Sequence, residues 1–421
     1  MLGRRVCRLG VTPRAALRRH ERRFGFFGFG GAELSFEQSL FSLYTERVKP
    51  LEEKYGFSKF NTASLREADF TAKPTVLLLG QYSTGKTSMI EYLVGKPVPG
   101  AHTGPEPTTD RFVAVMHGEV DRTIPGHAAA SETHLPFHSL QQHGSAFLSK
   151  FEIAEMDSEL LESVTIIDSP GVLSGEKQRG NRGYDYASVT KHFADRADRI
   201  LLLFDCSKLD ISDEFEEVVK SLDGNHDKVR CLLNKADQVA PQELFRVYGA
   251  LLWSLGKVVN TPEVLRVFVG SMWAEPYLHE DMSELFNLER QSVVDDLASL
   301  PRDTRIRRIN ETVKRWRAVK THAILCSHMS KQFSWLSMGK SDTQLNLLAG
   351  LELLYKDLAR QHGLNSGDFP KPEGFRNTVH ELGLKMWEWP KIDEEELEKL
   401  DKKVSEEVQK LLTALDTSEN R

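Results

Sequence analysis

Cysteines and long apolar runs are both scarce in this sequence. The four cysteines, Cys7, Cys206, Cys231 and Cys326, are widely separated along 421 residues, and this spacing excludes a disulfide scaffold and a cysteine-based metal site. No apolar stretch approaches the roughly 20 residues that span a bilayer. We therefore expect a soluble or peripheral protein in a reducing compartment.

The sequence also lacks an excess of positive charge. Its formal net charge is −6, which gives no general attraction to nucleic acid or acidic lipid. The basic residues Arg305, Arg308 and Arg315 are not interleaved with the aromatic residues on which single-stranded nucleic acid stacks. We expect no nucleic-acid partner.

Acidic residues are nearly absent from the N-terminus. Residues 1–23 hold eight arginines, no lysine and one acid, Glu21. This composition is typical of a mitochondrial transit peptide, and a basic tail that touches anionic lipid is the alternative. The segment that follows, residues 24–30, is rich in phenylalanine and glycine and fits either a membrane contact or a loop packed on its own core.

A phosphate-binding loop is the strongest motif present. Residues 80–87 read GQYSTGKT and directly follow the apolar run Thr75–Leu79. In this strand–loop–helix context, backbone N–H groups bind phosphates, Lys86 adds a positive charge and the Thr87 hydroxyl can ligate Mg²⁺. The predicted nucleotide contacts of this segment are Gly80, Ser83, Thr84, Gly85, Lys86, Thr87 and Ser88. The chain is therefore predicted to bind a nucleoside triphosphate with Mg²⁺.

Further motifs follow in the order expected of a nucleotide switch domain. Asp168, at the end of an apolar run, can hold Mg²⁺ through water, and the Gly171 N–H can contact a γ-phosphate. Thr109 lies in a loop where it can complete the Mg²⁺ shell. In Asn234-Lys-Ala-Asp237, Asp237 can accept two hydrogen bonds from a guanine edge, and the stem of Lys235 can cover the ring.

The water-orienting glutamine of many small GTPases is missing, because Val172 follows Gly171. Gln81 or backbone groups of its loop, together with the loop of Thr109, are the candidates that position the attacking water, with Lys86 as the charge that faces the phosphates. A solvent-facing Gln81 is the alternative. We expect slow hydrolysis that rises on self-association.

The distribution of apolar residues predicts two kinds of structure. From about 72 to 273, short apolar runs alternate with helical stretches, which indicates a mostly parallel sheet with helices on both faces. The predicted strands are Thr75–Leu79, Phe112–Met116, Val164–Ile167, Ile200–Phe204, Val229–Leu233 and Val267–Val269. After 280, and over 33–57 with a bend at Pro50, the spacing is helical. The predicted fold is an α/β P-loop nucleotide-binding domain plus an all-α helical domain.

Several longer strings extend the match beyond these motifs. They include GPEPTTD at 104–110, DSPGVLSGEKQR at 168–179, KLDISDEF at 208–215 and RVYGALLWSLGK at 246–257. Over roughly 33–370 the chain closely resembles the EHD (Eps15-homology-domain-containing) ATPases of the dynamin superfamily. The resemblance implies a dynamin-type nucleotide-binding domain that dimerises, assembly into higher oligomers on curved membranes, and a helical domain whose tip inserts into lipid.

The resemblance also implies which nucleotide is bound and which residues contact the membrane. It implies ATP rather than the GTP that the motif alone suggests, with Gln238 and Trp273 shaping the base pocket; GTP is the alternative. The residues matching the lipid-contacting tip are Lys331, Phe333, Trp335, Leu336, Met338 and Lys340, and a packed helix–helix loop is the alternative. No counterpart of the name-giving EH module follows Pro370.

The predicted organisation has five parts. They are an N-terminal segment at 1–30, helical residues at 31–70, the nucleotide-binding domain at 71–280, the helical domain at 281–370 with a membrane-binding tip near 331–340, and an acidic helical tail at 371–421. The resemblance implies a peripheral protein on anionic lipids at the cytoplasmic face of endosomal or plasma membranes, with the mitochondrion as the alternative. A GTP-binding switch and a nucleotide-stabilised scaffold are the competing functions.

Overall fold

The computed structural model describes residues 35–100, 111–172, 183–208, 212–259, 265–333 and 339–419. They divide into two compact units. Residues 72–304 form the nucleotide unit, and residues 35–71 together with 305–419 form the helical unit. The helical unit is thus assembled from segments on both sides of the nucleotide unit in sequence. Residues 371–419, predicted as a separate tail, lie in the helical unit.

Within the described residues, the nucleotide unit is built on an eight-stranded sheet with the order β3-β4-β2-β5-β1-β6-β7-β8. The strands are β1 Thr75–Gly80, β2 Phe112–His117, β3 Arg122–Pro125, β4 Phe151–Met156, β5 Thr165–Asp168, β6 Arg199–Asp205, β7 Val229–Asn234 and β8 Val267–Val269. Neighbouring strands are parallel except for the pairs β2–β5 and β3–β4. The predicted α/β class with a mostly parallel sheet is confirmed, and β3 and β4 are strands that the sequence analysis missed.

The central strands β1 and β6 carry the core of this unit. Every residue of β6 is buried, and all but the first residue of β1 are buried, as expected of parallel strands covered on both faces. β1 pairs with β5 on one side and β6 on the other, and β7 follows β6. The carboxyl ends of these four parallel strands therefore meet at one edge of the sheet, where ligands bind in open α/β folds.

Helices of the nucleotide unit connect the strands. They are α4 Lys86–Val94, α5 Gly126–Ser131, α6 Gly144–Leu148, α7 Glu159–Ser163, α8 Tyr186–Arg196, α9 Asp213–Ser221 and α10 Pro241–Val258. The long helix α11, Ser283–Lys331, contributes its residues up to Thr304 to this unit and its residues from Arg305 onward to the helical unit.

The helical unit holds the remaining helices. They are α1 Phe36–Leu43, α2 Lys49–Tyr55, α3 Glu67–Thr71, the second part of α11, α12 Lys340–Ala349, α13 Leu351–His362, α14 Pro372–Glu381 and α15 Glu394–Glu419. The helix predicted over 33–57 is interrupted by a π-helical turn at Tyr44–Val48. Pro50 lies in the first turn of α2, where a proline is tolerated because its missing N–H has no helical partner. The interruption is therefore the π-turn, and the proline begins the second helix.

Hydrogen bonds to one aspartate attach α15 to α11 inside the helical unit. Trp316 Nε1 donates to Asp401 Oδ1 at 2.7 Å, and Lys320 Nζ donates to Asp401 Oδ2 at 2.8 Å. Leu397 and Val404 of α15 are buried in the same core. The acidic, heptad-like helix predicted at the C-terminal end is thus part of a packed bundle.

The three cysteines within the described residues are buried and free. Burial raises the pKa of both Cys206 and Cys231 to about 12, so neither thiol is reactive near neutral pH. Among the described residues, no helix combines the length and the apolar composition needed to cross a bilayer.

Candidate nucleotide-binding site

The phosphate loop joins the end of β1 to the start of α4. Ser83 and Gly85 adopt positive φ values of +65° and +88°. A Cβ atom on Gly85 would lie 2.5 Å from Asn234 Nδ2, so both backbone conformation and space require glycine there. The loop turns tightly enough to direct its N–H groups and the N-terminus of α4 toward one place, which is the arrangement that binds phosphate.

Lys86 is positioned by the loop it serves. Its side chain is only 6% exposed, and Nζ donates to the carbonyls of Gly80 and Gln81 at 3.1 Å each. Thr84 Oγ1 donates to the Gln81 carbonyl at 3.0 Å. The ammonium group is therefore held beside the phosphate-binding turn by main-chain acceptors.

Thr87 and Asp168 form the predicted Mg²⁺ pair. Thr87 Oγ1 donates to Asp168 Oδ2 at 2.7 Å, and Asp168 Oδ1 is buried without a hydrogen-bond partner among the described residues. Burial raises the pKa of Asp168, although Lys86 and the Thr87 hydroxyl act in the opposite direction. A hydroxyl beside a carboxylate that still has an unused oxygen suits a hard cation, so these two residues fit Mg²⁺.

The segment after Asp168 is joined to the phosphate loop through the backbone. Tyr82 N donates to the Val172 carbonyl at 2.9 Å, and Val172 N donates to the Gly80 carbonyl at 3.2 Å. A Cβ atom on Gly171 would lie 2.8 Å from the Cα atom of Tyr82. Val172 itself is buried, so its side chain packs in the core rather than facing the phosphate site. This direct contact between the two loops was not foreseen from the sequence.

Asn234 and Lys235 connect the end of β7 to the phosphate loop. Asn234 Nδ2 donates to the Thr84 carbonyl at 2.9 Å, while Asn234 Oδ1 accepts from Met272 N at 2.9 Å. Lys235 Nζ lies 2.6 Å from both the Ser83 carbonyl and Asp205 Oδ2. The first two residues of the Asn-Lys-Ala-Asp motif therefore fix the surrounding loops in place.

Asp205, at the end of β6, is a site residue that the sequence analysis missed. Burial opposes its ionisation, but hydrogen bonds from Lys235 and Ser207 lower the pKa of Asp205 below its usual range. Its place at the carboxyl end of a buried strand, like that of Asp168, is the signal that identifies it.

Hydrogen bonds from the loop that follows β8 cover the carboxylate of Asp237, and we call this the closed arrangement. The Asp237 side chain is fully buried. The Ser271 hydroxyl donates to Oδ1, and Leu278 N donates to Oδ2 at 3.0 Å. Both carboxylate oxygens thus have a donor within the protein itself. We call residues 270–279 the base loop.

The structure brings most of the predicted nucleotide-contacting residues together. The residues predicted to shape the base pocket and to position the attacking water are less completely described. Gln238 is exposed beside Asp237, and Trp273 of the base loop is partly buried, its Nε1 having no partner among the described residues. Gln81 is half-buried, and its carbonyl already accepts from Lys86 and Thr84. Thr109 lies outside the described residues.

The predicted membrane residues lie in the helical unit and differ in exposure. Phe333, predicted as part of the lipid-contacting tip, is 8% exposed and packs against the Trp387 ring at a centroid distance of 5.8 Å, so its side chain lies in the helical core in this structure. Lys331 is exposed at the end of α11, and Lys340 Nζ lies 5.8 Å from the Trp387 centroid. Trp335, Leu336 and Met338 lie outside the described residues.

This fold and site define a dynamin-type P-loop nucleotide-binding domain joined to a helical domain. Residues 76–236 match the model of the dynamin family, residues 40–71 match that of the N-terminal EH-domain containing protein, and residues 303–412 match a domain of unknown function.

Curated relatives identify the family. EH domain-containing protein 2 of Mus musculus is 45% identical over 377 residues, which cover 90% of this chain and 69% of that protein. EH domain-containing proteins 1 and 3 of Homo sapiens are 49% and 50% identical over 333 residues, covering 79% of this chain. The chain belongs to the EH domain-containing protein family. It spans 62% of the length of the two human relatives.

Solved structures are more distant. An oligomerised bacterial dynamin pair, described as a mechanism for long-range sensing and tethering of membranes, matches 83% of this chain and 52% of its own at 14% identity, with a TM-score of 0.40. Toc33 of Arabidopsis thaliana with Mg²⁺ and GMPPNP covers 64% of this chain and 98% of its own at 15% identity, with a TM-score of 0.34. These values indicate only a loose likeness of fold.

Proposed function

We propose that this protein is an ATPase that self-associates on anionic membranes and remodels them in vesicular traffic. The observation that carries the nucleotide assignment is the closed Asp237 carboxylate. Family membership supports the membrane assignment, and the phosphate site supports hydrolysis. Endosomal or plasma membranes are the proposed location, with the mitochondrion as the alternative from the Arg-rich N-terminus.

Asp237 favours adenine because its carboxylate is fully buried and each of its oxygens already accepts a hydrogen bond from the base loop. A guanine edge carries N–H donors that need a carboxylate, whereas Ser271 and Leu278 already donate to both oxygens of Asp237. A guanine edge can reach this fully buried carboxylate only if the base loop moves away from it, and disturbing hydrogen bonds in a buried site is costly. Adenine makes no such demand on Asp237. The proposed base pocket is completed by Gln238 and Trp273.

The residues of the phosphate site have distinct roles in the proposed reaction. Lys86 would face the β- and γ-phosphates, and Thr87 and Asp168 would hold the metal ion. When bound, Mg²⁺ neutralises charge that develops on the phosphates. Gln81 and the loop of Thr109 are proposed to position the attacking water, since the buried Val172 cannot. A neighbouring molecule that sets the positions of these segments would make hydrolysis dependent on assembly.

Helix α10 offers the self-association face. Phe245 and Trp253 are 70% and 69% exposed, and they lie eight residues apart on one side of the helix. Gly249, midway between them, has open space where a Cβ atom would project. Two exposed aromatics around a flat centre are the features of an interface rather than of a solvated helix face.

Replacing Trp253 with serine should convert dimers to monomers. Buried tryptophans at interface centres contribute at least about 2 kcal/mol, so the dissociation constant should rise about 30-fold or more. Sedimentation velocity across a concentration series measures this change. Val120→Ser is the matched control, because Val120 is 68% exposed in the same unit but lies between β2 and β3, whereas α10 connects β7 to β8 at the opposite edge of the sheet. Equal dimerisation of wild type and Trp253→Ser would contradict this interface.

The membrane contact is proposed to lie at the end of α11. Lys331 and Lys340 supply charge toward anionic headgroups, and Trp335, Leu336 and Met338 supply apolar side chains for the interface. Phe333 is left out, because it is part of the helical core. Lys331 also lies 3.8 Å from Glu394, which lowers the charge it offers to lipid.

Vesicle remodelling tests the proposed function as a whole. Purified protein should sediment with phosphatidylserine-containing vesicles and deform them in the presence of ATP and Mg²⁺, and much less so with GTP. Electron microscopy of the vesicles and phosphate release in the same samples measure both steps. Vesicles of pure phosphatidylcholine are the control. A monomer that binds GTP and ignores both kinds of vesicle would indicate a switch protein instead.

A further inference from the structure

Arg290 on helix α11 lies between two tyrosine rings beside the base loop. Its guanidinium carbon is 4.7 Å from the ring centroid of Tyr92 and 5.2 Å from that of Tyr277. Tyr92 belongs to α4, the helix that begins at the phosphate loop, and Tyr277 belongs to the base loop. One side chain therefore contacts α4 and the base loop at the same time.

The same guanidinium also holds the other end of the base loop. Arg290 Nη2 donates to the Ser271 carbonyl at 2.8 Å. Among the described residues, no carboxylate lies within ion-pair distance of Arg290. Its guanidinium interacts with two aromatic faces and one carbonyl, while its Nε has no hydrogen-bond partner among the described residues. Arginine makes these interactions better than lysine because its cation is planar.

Each residue that Arg290 contacts in the base loop is linked to Asp237. Ser271, whose carbonyl accepts from Arg290, donates its hydroxyl to Asp237 Oδ1. Tyr277, whose ring stacks on Arg290, directly precedes Leu278, whose N–H donates to Asp237 Oδ2 at 3.0 Å. Both donors that close the carboxylate are therefore held in place at the point where Arg290 touches the loop.

We infer that Arg290 is a positioning residue for base selectivity, which keeps the base loop closed over Asp237 and so excludes guanine. This inference rests on the proposed preference for ATP. Releasing the loop frees the Ser271 hydroxyl and the Leu278 N–H from Asp237. The carboxylate then becomes available to the N–H donors of a guanine edge, while the phosphate site is untouched.

Fluorescent ATP and GTP analogues titrated into the whole 421-residue chain test this role. In Arg290→Leu, the ratio of the GTP to the ATP dissociation constant should fall about tenfold, chiefly through tighter GTP binding. Arg290→Lys should give an intermediate ratio, because lysine can donate to the Ser271 carbonyl but cannot stack as a flat cation. Lysine also disturbs packing less, so it serves as the test should the leucine variant fail to fold.

Two further variants separate selectivity from stability. Ser271→Ala removes one donor to Asp237 directly and should lower the same ratio, with little further change when combined with Arg290→Leu. Gln291→Ala, the next position of the same helix, loses a 2.8 Å hydrogen bond to the exposed Asp295 and should leave the ratio unchanged.

The possible outcomes are distinct. A purely structural Arg290 would weaken both nucleotides equally, so a constant ratio in Arg290→Leu and Arg290→Lys would overturn the inference while leaving the proposed function intact. A wild-type protein that prefers GTP would overturn the ATP assignment and, with it, the role of Arg290 as the residue that keeps Asp237 closed.

Discussion

Replacing Lys86 with alanine is expected to weaken ATP binding about 100-fold. A hydrogen bond to a charged phosphate contributes about 1.5–3 kcal/mol, and the ammonium group is already held in place by the carbonyls of Gly80 and Gln81. Little entropy is therefore lost when it meets the phosphates, and most of its contribution appears as affinity. Isothermal titration calorimetry with ATP and Mg²⁺ measures the change.

The same substitution should also alter the metal site. The charge of Lys86 lowers the pKa of Asp168, whereas burial raises it. Without the lysine, the Thr87 hydroxyl alone opposes the effect of burial, so the carboxylate holds its proton to higher pH and Mg²⁺ must compete with that proton. The loss of ATP affinity in Lys86→Ala should thus be greater at pH 6 than at pH 8.

Lys96→Ala is the matched control. Lys96 follows the same helix but pairs with Asp121 on the surface at 2.6 Å, with 31% and 46% of the two side chains exposed. Its loss should leave ATP affinity within about twofold, since surface ion pairs contribute little. If Lys86→Ala bound ATP as tightly as Lys96→Ala, GQYSTGKT would not be the phosphate site of this protein.

The contiguous parts of the site could be predicted from the sequence because their geometry is local. A strand, a glycine-containing turn and a helix lie in one stretch around Lys86, so the residue types and their spacing specify the structure. Asp168 was found for the same reason, at the end of an apolar run. These elements are where sequence and structure agree most closely.

Contacts between residues at the ends of different strands could not be predicted from the sequence, because such residues are distant from each other along the chain. Ser271 reaches Asp237 only because β8 pairs with β7 and carries the base loop to the same edge of the sheet. β3 was missed because it is a four-residue edge strand with two exposed residues at its start. Phe333 stands beside lysine in a pattern typical of membrane interfaces, but its partner Trp387 is distant in sequence.

Replacing Glu52 with glutamine should destabilise the helical unit by about 3–5 kcal/mol, the usual cost of breaking a buried ion pair. Glu52 is 2% exposed. Arg315 donates from Nε to Oε1 at 2.5 Å and from Nη2 to Oε2 at 3.1 Å. Glutamine keeps the size and one acceptor oxygen but leaves the guanidinium of Arg315 without its counter-charge.

The hydrogen-bond network around Glu52 adds to this cost. Tyr44 Oη and Ser64 Oγ both donate to Oε2, at 2.8 and 3.2 Å. Burial, together with the hydrogen bond to Glu52, raises the pKa of Tyr44 to about 12, so the phenol remains a donor at all ordinary pH values. A glutamine side chain presents only one acceptor to these donors, and one of them is left unsatisfied in a buried place.

Urea unfolding of the whole 421-residue chain, followed by tryptophan fluorescence, measures the effect. Saturating ATP and Mg²⁺ should stabilise the nucleotide unit by linkage, so the first transition then reports the helical unit. Glu53→Gln is the matched control, because Glu53 is 67% exposed and its carboxylate lies 4.0 Å from Lys49 Nζ on the surface. This control should change the free energy of unfolding by less than about 0.5 kcal/mol.

The double variant Glu52→Leu with Arg315→Leu should recover much of the loss, since it leaves no unpaired buried charge. A Glu52→Gln protein as stable as Glu53→Gln would mean that the pair is not buried in solution and that α2 is not fixed to α11 through it.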